Sequence, residues 1–153
     1  MSLIWKCKTF DELSAQELYA ILQLRSEVFV VEQNCVYLDM DDKDQDSYHF
    51  CGWNGDDLFV YTRLVPAGIS YDEPSIGRVV TSPKSRGTGA GKELMKRSIE
   101  QLHTLWGKLP IRIGAQAYLQ NFYESLGFVQ TSDIYIEDGI AHMEMLFPIR
   151  EAD

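Results

Sequence analysis

A glycine-rich segment flanked by basic residues is the part of this chain that is best suited to bind a phosphate. The segment follows a strand-like run at 76–81 and precedes a helical pattern that begins near Lys92. Glycines let the backbone approach an anion closely, and the start of a helix offers unpaired N–H groups and a positive dipole end. We call it the phosphate cradle, and its residues are Arg86, Gly87, Thr88, Gly89, Ala90 and Gly91. Lys92, at the start of the helix, is a further candidate to bind the same anion.

The distribution of charge independently indicates an anionic ligand at this segment. Residues 76–112 contain eight Lys or Arg and two acids, whereas the chain as a whole has a net charge of −9. One basic region in an acidic protein favours a single anionic ligand and argues against nucleic acid as a partner of the whole surface. The same excess could also be the solvated face of a helix.

Three other motifs for anions or metals are incomplete. A nucleoside-triphosphate loop needs Ser or Thr after its lysine, but Glu93 follows Lys92 and the glycine spacing is one residue short. The dinucleotide fingerprint requires an early βαβ unit, which the first half of the chain lacks. The stretch from Asp42 begins like a calcium loop, but Ser47 replaces the required glycine and Trp53 the closing glutamate. We therefore expect no metal site.

Length and composition predict one domain over residues 1–153, since 45% of the residues are hydrophobic and no linker-like segment divides the chain. No leader and no apolar run of about 20 residues is present, so we expect no membrane partner. The odd set of widely spaced cysteines, Cys7, Cys35 and Cys51, predicts neither a disulfide framework nor a zinc site. These features favour reduced thiols and a cytoplasmic location.

The first half of the chain predicts a strand, a helix and a hairpin. A strand can open at 4–7, and the Ser14 to Glu17 capping box predicts a helix with one apolar stripe. Arg25 falls within that stripe and needs a partner, because an unpaired buried charge is costly. It is either part of a core ion pair or the floor of a substrate site. Asn54-Gly55 then predicts an antiparallel hairpin.

The second half predicts further strands and helices. The strand at 111–117 is expected to lie parallel to 76–81, since the helix at 92–106 crosses between them. A short helix at 119–126 should end at Gly127, and Asp138-Gly139 predicts a last hairpin. The order predicts an α+β fold around one mixed, mostly antiparallel sheet.

Two segments together resemble the GNAT superfamily of acyl-CoA-dependent N-acyltransferases. They are the Arg-x-x-Gly-x-Gly pattern of the cradle and the segment Asn-Phe-Tyr-Glu-Ser-Leu-Gly-Phe at 121–128. The residues at 24–33, 114–117 and 138–142 are similar to the ElaA-like branch in particular. The resemblance covers nearly the whole chain. It implies a single GNAT-type domain with helices on both faces of a sheet that splays between two central parallel strands.

The resemblance also implies where acyl-CoA would bind. The donor would lie in the opening between the strands at 76–81 and 111–117, with its pyrophosphate on the cradle. Backbone amides near the end of the first strand would hold the pantetheine and stabilise the oxyanion that forms when an amine attacks the thioester. The residues implied in donor binding, besides the cradle, are Val79, Val80, Thr81 and Asn121.

The resemblance implies that Tyr123 donates a proton to the departing thiolate, and tyrosine is protonated at neutral pH. Its side chain could instead be a core aromatic at helical spacing from Leu119. The attacking amine must lose a proton, and Glu32, His142 and His49 are candidates to accept it. His142 shares a strand face with Glu144, which is either a cleft wall or a solvated face.

We therefore expect an N-acetyltransferase that moves an acetyl group from acetyl-CoA directly to a primary amine. Arg25, Glu32 and His142 are the candidate acceptor-binding residues. The acidic remainder of the chain suggests a cationic acceptor, such as a polyamine-like molecule or a basic peptide end. The alternatives are a CoA-binding sensor without turnover and an acyl-homoserine-lactone-type synthase. An exposed sheet edge at the C-terminal hairpin leaves room for a homodimer.

Overall fold

The computed structural model describes residues 2–149, which form two mainly antiparallel sheets and three α-helices. Strands β1 to β4 form the first sheet in sequence order, and the second has the order β5-β8-β6 with β7 also paired to β8. The elements are β1 (Ile4–Thr9), α1 (Ala15–Arg25), β2 (Tyr48–Asn54), β3 (Asp57–Val65), β4 (Ser75–Thr81), α2 (Ala90–Trp106), β5 (Ile111–Gln116), α3 (Gln120–Ser125), β6 (Val129–Gln130), β7 (Tyr135–Glu137) and β8 (Ile140–Phe147).

Local signals in the sequence are confirmed at several boundaries. The Ser14 Oγ accepts from the Glu17 N–H at 3.0 Å, and the Glu17 carboxylate accepts from the Ser14 N–H at 2.8 Å, which is the expected capping box at α1. Asn54-Gly55 and Asp138-Gly139 connect the strands of the two expected hairpins. Gly127 follows α3 with φ 108°, as its helix-ending position predicts.

The relation between β4 and β5 differs from the expectation of one sheet with two parallel central strands. In the described residues β4 pairs with β3 and β5 pairs with β8, and no ladder joins the two strands. The Arg112 N–H donates to the Pro74 carbonyl at 3.1 Å, so the chains approach each other at the start of both strands. The parallel pairing is therefore not confirmed, and each sheet presents an edge strand to the space between them.

Helices α1 and α2 pack on opposite faces of the first sheet, as the resemblance implies. Val60 is buried in the cluster that includes Leu94 of α2, whereas its neighbour Tyr61 is buried in the cluster that includes Ile21 of α1. Successive strand residues point to opposite faces, so the two helices must lie on different sides of β3. The α2 cluster continues through Ile113 of β5 and thereby joins the two sheets.

After α1 the chain continues into wide π-helical turns over Ser26–Glu32. Such turns are rare in proteins, and many of those that occur lie at functional sites. Here they bring Glu32 and the residues after it to the gap between the sheets.

Three arginines, Arg25, Arg63 and Arg78, hold the acidic stretch that follows these turns. Arg25 is fully buried, and its Nε and Nη1 donate to Asp39 at 2.7 Å and to Asp44 at 2.8 Å. Arg63 donates to Asp44 at 2.9 Å and, with two nitrogens, to Asp41 at 2.8 Å. The stretch is therefore tied to the core by a buried charge network.

The part of the chain that the structure describes contains neither a candidate membrane span nor a candidate metal cluster. No helix over residues 2–149 combines the length and the apolar content that crossing a membrane requires. No group of His, Cys, Asp and Glu within the same residues could hold a metal ion.

Candidate active site

A cavity of about 550 Å³ lies between the edge strands β4 and β5. Its walls come from the end of the π-helical turns, from both edge strands, from the segment that leads into α3, and from the turn between β7 and β8. The lining residues used below are Glu32, Gln33, Cys35, Tyr37, Arg78, Val79, Val80, Thr81, Arg86, Gly91, Gln116, Tyr123, Glu137, Asp138 and His142. Eight of the candidate site residues that the sequence singles out therefore line this cavity.

The β4 wall is an edge strand with a bulge. The register between β3 and β4 shifts between Tyr61 and Arg63, and Arg78 adopts φ 49°, a left-handed conformation that is uncommon for a non-glycine residue. An edge strand leaves one row of backbone N–H and C=O groups without a strand partner. The residues Val79, Val80 and Thr81 line the cavity along this edge, where such groups can hydrogen-bond an extended ligand.

The Arg78 side chain holds the bulge in place. Its Nη2 donates to the Asp39 carbonyl at 2.8 Å, and its guanidinium lies 5.9 Å from the centre of the Tyr37 ring. The Tyr37 hydroxyl in turn donates to the Asp39 carboxylate at 2.6 Å. Burial and the hydrogen bond to Asp39 raise the pKa of Tyr37. The charge network therefore orders one side of the cavity and keeps Tyr37 protonated.

The phosphate cradle has the backbone conformation that its glycines predict. Gly87 and Gly89 have φ values of 81° and 78°, and Gly89 is the N-cap of α2 without any side-chain cap. The first N–H groups of α2 are therefore left for solvent or for an anion. Arg86 and Gly91 line the cavity, whereas Gly89 and Lys92 line a shallow depression along α2. Uncapped amides beside two cationic side chains fit the pyrophosphate of a CoA thioester.

Arg86 is paired with one of the candidate bases. Its Nη2 lies 2.8 Å from the Glu32 Oε1, and the side chains are 43% and 42% exposed. Both residues line the cavity, so the ion pair joins the cradle to the π-helical turns across its mouth.

Tyr123 lines the cavity and also packs in the core. Its ring makes edge contacts with Phe122 and Phe128 at centroid distances of 5.2 Å and 5.8 Å, and the residue is 6% exposed. Among the described residues no protein group forms a hydrogen bond with its hydroxyl. Burial raises the pKa of Tyr123, so the hydroxyl is protonated at neutral pH. Both interpretations of this residue are therefore compatible with its position.

His142 has a tautomer that suits a base. Its Nδ1 lies 2.8 Å from the Ile140 carbonyl oxygen, which can only accept, so the proton of the neutral ring is on Nδ1 and the lone pair is on Nε2. The Glu137 Oε2 lies 3.7 Å from that Nε2, and the Tyr135 ring stacks on the imidazole with 6.0 Å between centroids. Glu137 therefore lies on the side of the ring that carries the lone pair.

Three other candidates lie away from the cavity wall. Arg25 is enclosed by its aspartate partners, so it forms the core ion pair and not the floor of a substrate site. Asn121 is exposed on α3 and is absent from the cavity lining, which gives its expected contact with the donor no geometric support. His49 is 1% exposed and bridges the Tyr61 hydroxyl and the Asp44 carbonyl, which is a structural role.

The sequence reasoning missed several lining residues. Gln33 and Gln116 exchange side-chain amide hydrogen bonds of 3.5 Å and 3.3 Å, and the Cys35 thiol donates to the Asp138 carbonyl at 3.2 Å. Nothing in the sequence joins these distant pairs. Glu137 could have been found, since the two-residue turn fixes the hairpin register and places it near His142.

Comparisons with known proteins agree over nearly the full length of the chain. A family model described as "Acetyltransferase (GNAT) domain" matches residues 10–147. Protein ElaA of Escherichia coli strain K12 is 43% identical over 150 residues, which cover 97% of this chain and 98% of ElaA. The crystal structure of E. coli ElaA aligns with a TM-score of 0.88 at 42% identity, covering 94% of this chain and 98% of that one. An acyl-CoA N-acyltransferase from Pseudomonas aeruginosa aligns with a TM-score of 0.90 at 43% identity, covering 95% and 99%.

Proposed function

Because this chain belongs to the GNAT acetyltransferase family, we propose that it transfers an acetyl group from acetyl-CoA directly to a primary amine. Family membership gives the general activity, which is acyl transfer from a CoA thioester to an acceptor. The acetyl donor and the amine acceptor are the finer part of the proposal. We further propose that residues 1–153 act as one domain in the cytoplasm.

The observation that carries the proposal is that one cavity is lined by Arg86 of the cradle, an edge strand, a buried tyrosine and a histidine. Donor binding would use Arg86 and the amides of the cradle for the pyrophosphate. The edge of β4 at Val79, Val80 and Thr81 would hold the pantetheine and the thioester carbonyl. An oxyanion that develops there would be stabilised by backbone N–H groups, by a few kcal/mol for each well-placed donor.

The proton balance assigns roles to two side chains. An acceptor that enters as an ammonium ion first loses one proton to solvent; the amine nitrogen then attacks the thioester carbon, the C–S bond breaks, and the nitrogen loses a second proton. We assign that proton to the His142 Nε2, directly or through water, and Glu32 is the alternative acceptor. Tyr123 supplies a proton to the departing sulfur and regains one from solvent. Positioning of this kind contributes on the order of 10²- to 10⁴-fold to the rate for each group.

The carboxylates around the acceptor side of the cavity support a cationic acceptor. Glu32, Glu137 and Asp138 all line it, and the chain carries a net charge of −9. An ammonium group entering this region would meet negative charge before it reaches His142. A polyamine-like molecule or a basic peptide end has the required chemistry.

Calorimetric titration of acetyl-CoA and free CoA, followed by an amine screen for acceptor-dependent thiol release, tests this proposal. We expect one-to-one binding by the wild-type protein and weaker binding by a folded Arg86→Ala variant. Thiol release with cationic amines would identify the acceptor class, and a series of acyl-CoA donors would give the acyl length. Binding without thiol release from any amine would mean a CoA sensor. Absence of CoA binding by folded wild-type protein would overturn the proposal.

A further inference from the structure

The turn at 32–35 is attached to three different sides of the cavity by side-chain contacts. It follows the π-helical turns, and Asn34 within it has φ 51°. The contacts join Glu32 to Arg86 of the cradle, Gln33 to Gln116 of β5, and Cys35 to Asp138 of the β7–β8 turn. This turn therefore crosses the mouth of the cavity, and one of its three contacts is an ion pair.

The ion pair gives Arg86 two possible partners, the Glu32 carboxylate and the expected pyrophosphate. Arg86 is the cationic side chain of the cradle that also lines the cavity, and its Nη2 is 2.8 Å from the Glu32 Oε1. A pyrophosphate that binds the same guanidinium group competes with the carboxylate for it, because two anions on one exposed cation repel each other. The pair is about two-fifths exposed, so its net stabilisation is small enough for a phosphate to overcome.

We propose that Glu32 and the pyrophosphate of CoA compete for Arg86, so that donor binding releases the Glu32 carboxylate to bind the ammonium group of the acceptor. This inference rests on the proposed function, and it adds an order of events to it. Before the donor binds, Glu32 neutralises Arg86 and is unavailable to a cation. Once the phosphate has taken Arg86, the carboxylate lines the cavity as a free negative charge. The donor then promotes acceptor binding.

The structure supplies a matched control for the competition. Glu27 lies five positions earlier in the same π-helical turns, is exposed, does not line the cavity, and forms none of the described ion pairs. Glu32→Gln and Glu27→Gln therefore remove the same charge from the same segment, and only the first removes the partner of Arg86. Long-range electrostatic effects on an anionic ligand should be similar in both variants.

Calorimetric titration of CoA into four proteins tests the competition without any turnover. Relative to Glu27→Gln, we expect Glu32→Gln to bind CoA about two- to fivefold more tightly, as an exposed ion pair of this kind implies. In an Arg86→Met background the two glutamine variants should bind CoA equally. Equal affinities of both variants with Arg86 present, or weaker binding by Glu32→Gln, would overturn the proposal while leaving the CoA site intact.

Steady-state kinetics test the second part of the proposal, that the released Glu32 carboxylate binds the acceptor. With acetyl-CoA saturating and an amine that the wild-type protein acetylates, Glu32→Gln should raise the amine KM severalfold, and Glu27→Gln should leave it unchanged. An unchanged KM in Glu32→Gln would show that the released carboxylate does not bind the acceptor. Failure of the wild-type protein to bind CoA would instead count against the proposed function itself.

Discussion

At the scale of single residues, Tyr123 separates catalysis from packing. Its ring contacts Phe122 and Phe128, and these contacts do not involve the hydroxyl. The hydroxyl has no hydrogen-bond partner among the described residues. Tyr123→Phe should therefore change the free energy of unfolding by less than about 0.5 kcal/mol. If the hydroxyl protonates the leaving sulfur, kcat should fall on the order of 10²-fold while CoA affinity stays the same. Thiol-release kinetics, calorimetric titration and urea unfolding measure the three quantities.

The pH dependence gives a second criterion for Tyr123. Burial raises its pKa above the ordinary value, so ionisation of this tyrosine should cause no loss of activity between pH 7 and about pH 10. The Phe variant should then be slow by the same factor across that range. A kcat equal to that of the wild-type protein would assign the residue to the core alone.

Two residues show which part of the site the sequence could predict. Tyr123 and Asn121 come from one motif, but residues two positions apart on a helix point about 200° away from each other. Tyr123 reaches the cavity, and Asn121 is exposed. The motif therefore marked the helix correctly and could not by itself fix which of its side chains faces the ligand. Arg25 depends on Asp39 and Asp44, and these partners are visible only once the acidic stretch has folded.

At the scale of elements, the three glycines of the cradle are not equivalent. Gly89 has φ 78°, where a Cβ costs about 1–2 kcal/mol, whereas Gly91 lies in the first turn of α2. A Cβ on Gly91 would meet Thr81 Cγ2 at 3.6 Å, an ordinary contact. Gly91→Ala should raise the free energy of unfolding by about 0.5–1 kcal/mol and keep CoA binding, since alanine is the better helix former. Gly89→Ala should lower it by at least about 1 kcal/mol and weaken CoA binding.

Urea unfolding and calorimetric titration of the two alanine variants measure this contrast. The identical substitution two positions apart serves as its own control. Equal destabilisation by both changes would contradict the conformational argument. Loss of CoA binding in a more stable Gly91→Ala protein would show that a ligand atom needs the space above that position.

Helix and hairpin boundaries that neighbouring residues determine could be predicted from the sequence, whereas the pairing of distant strands could not. Capping boxes and Asn-Gly or Asp-Gly turns act through neighbouring residues, so the boundaries of α1 and of both hairpins follow from them. The expectation that β4 and β5 are parallel rested on the intervening helix and on the resemblance, which also implied that the two strands splay apart. Each strand instead has one antiparallel partner and leaves its other edge to the cavity. A connection can bring two strands together without joining them in a ladder.

At the scale of the whole molecule, fewer of the basic side chains in residues 76–112 remain available to a ligand than the sequence suggests. Among the described residues at least five of its eight basic side chains form ion pairs, several with acids from distant segments. They are Arg78, Lys84, Arg86, Arg97 and Arg112. A charge count along the chain indicates the sign of a ligand, but folding decides which charges remain available to it. Only the geometry identifies Arg86 as shared between an acid and the expected phosphate.

The buried charge network should control the acid stability of the whole molecule. Burial acts to raise the pKa of Asp44, but hydrogen bonds and charge from Arg25 and Arg63 outweigh it and lower the pKa below the ordinary value. The pKa of Asp41 is also lowered, because Arg63 and Arg78 outweigh its burial. Groups with a lower pKa in the folded state stabilise it above their unfolded pKa of about 3.9 and lose that effect as pH falls. The wild-type free energy of unfolding should therefore decrease steeply below about pH 4.

Asp44→Asn tests this account against Glu93→Gln, which removes an acid from the exposed pair with Arg97. At pH 7 the first change leaves two buried guanidinium groups without a shared carboxylate and should cost about 3–5 kcal/mol. The second should cost less than about 0.5 kcal/mol.

Below pH 4 the Asn variant should lose less further stability than the wild-type protein, because one titrating group of the network is gone. Urea unfolding at several pH values measures both effects, and parallel curves for the wild-type and Asp44→Asn proteins would contradict the role given to the network. Since the network also holds Arg78 and Tyr37 at the cavity, an Asn variant that still folds should bind CoA with its β4 wall less well ordered, and thus more weakly than the wild-type protein.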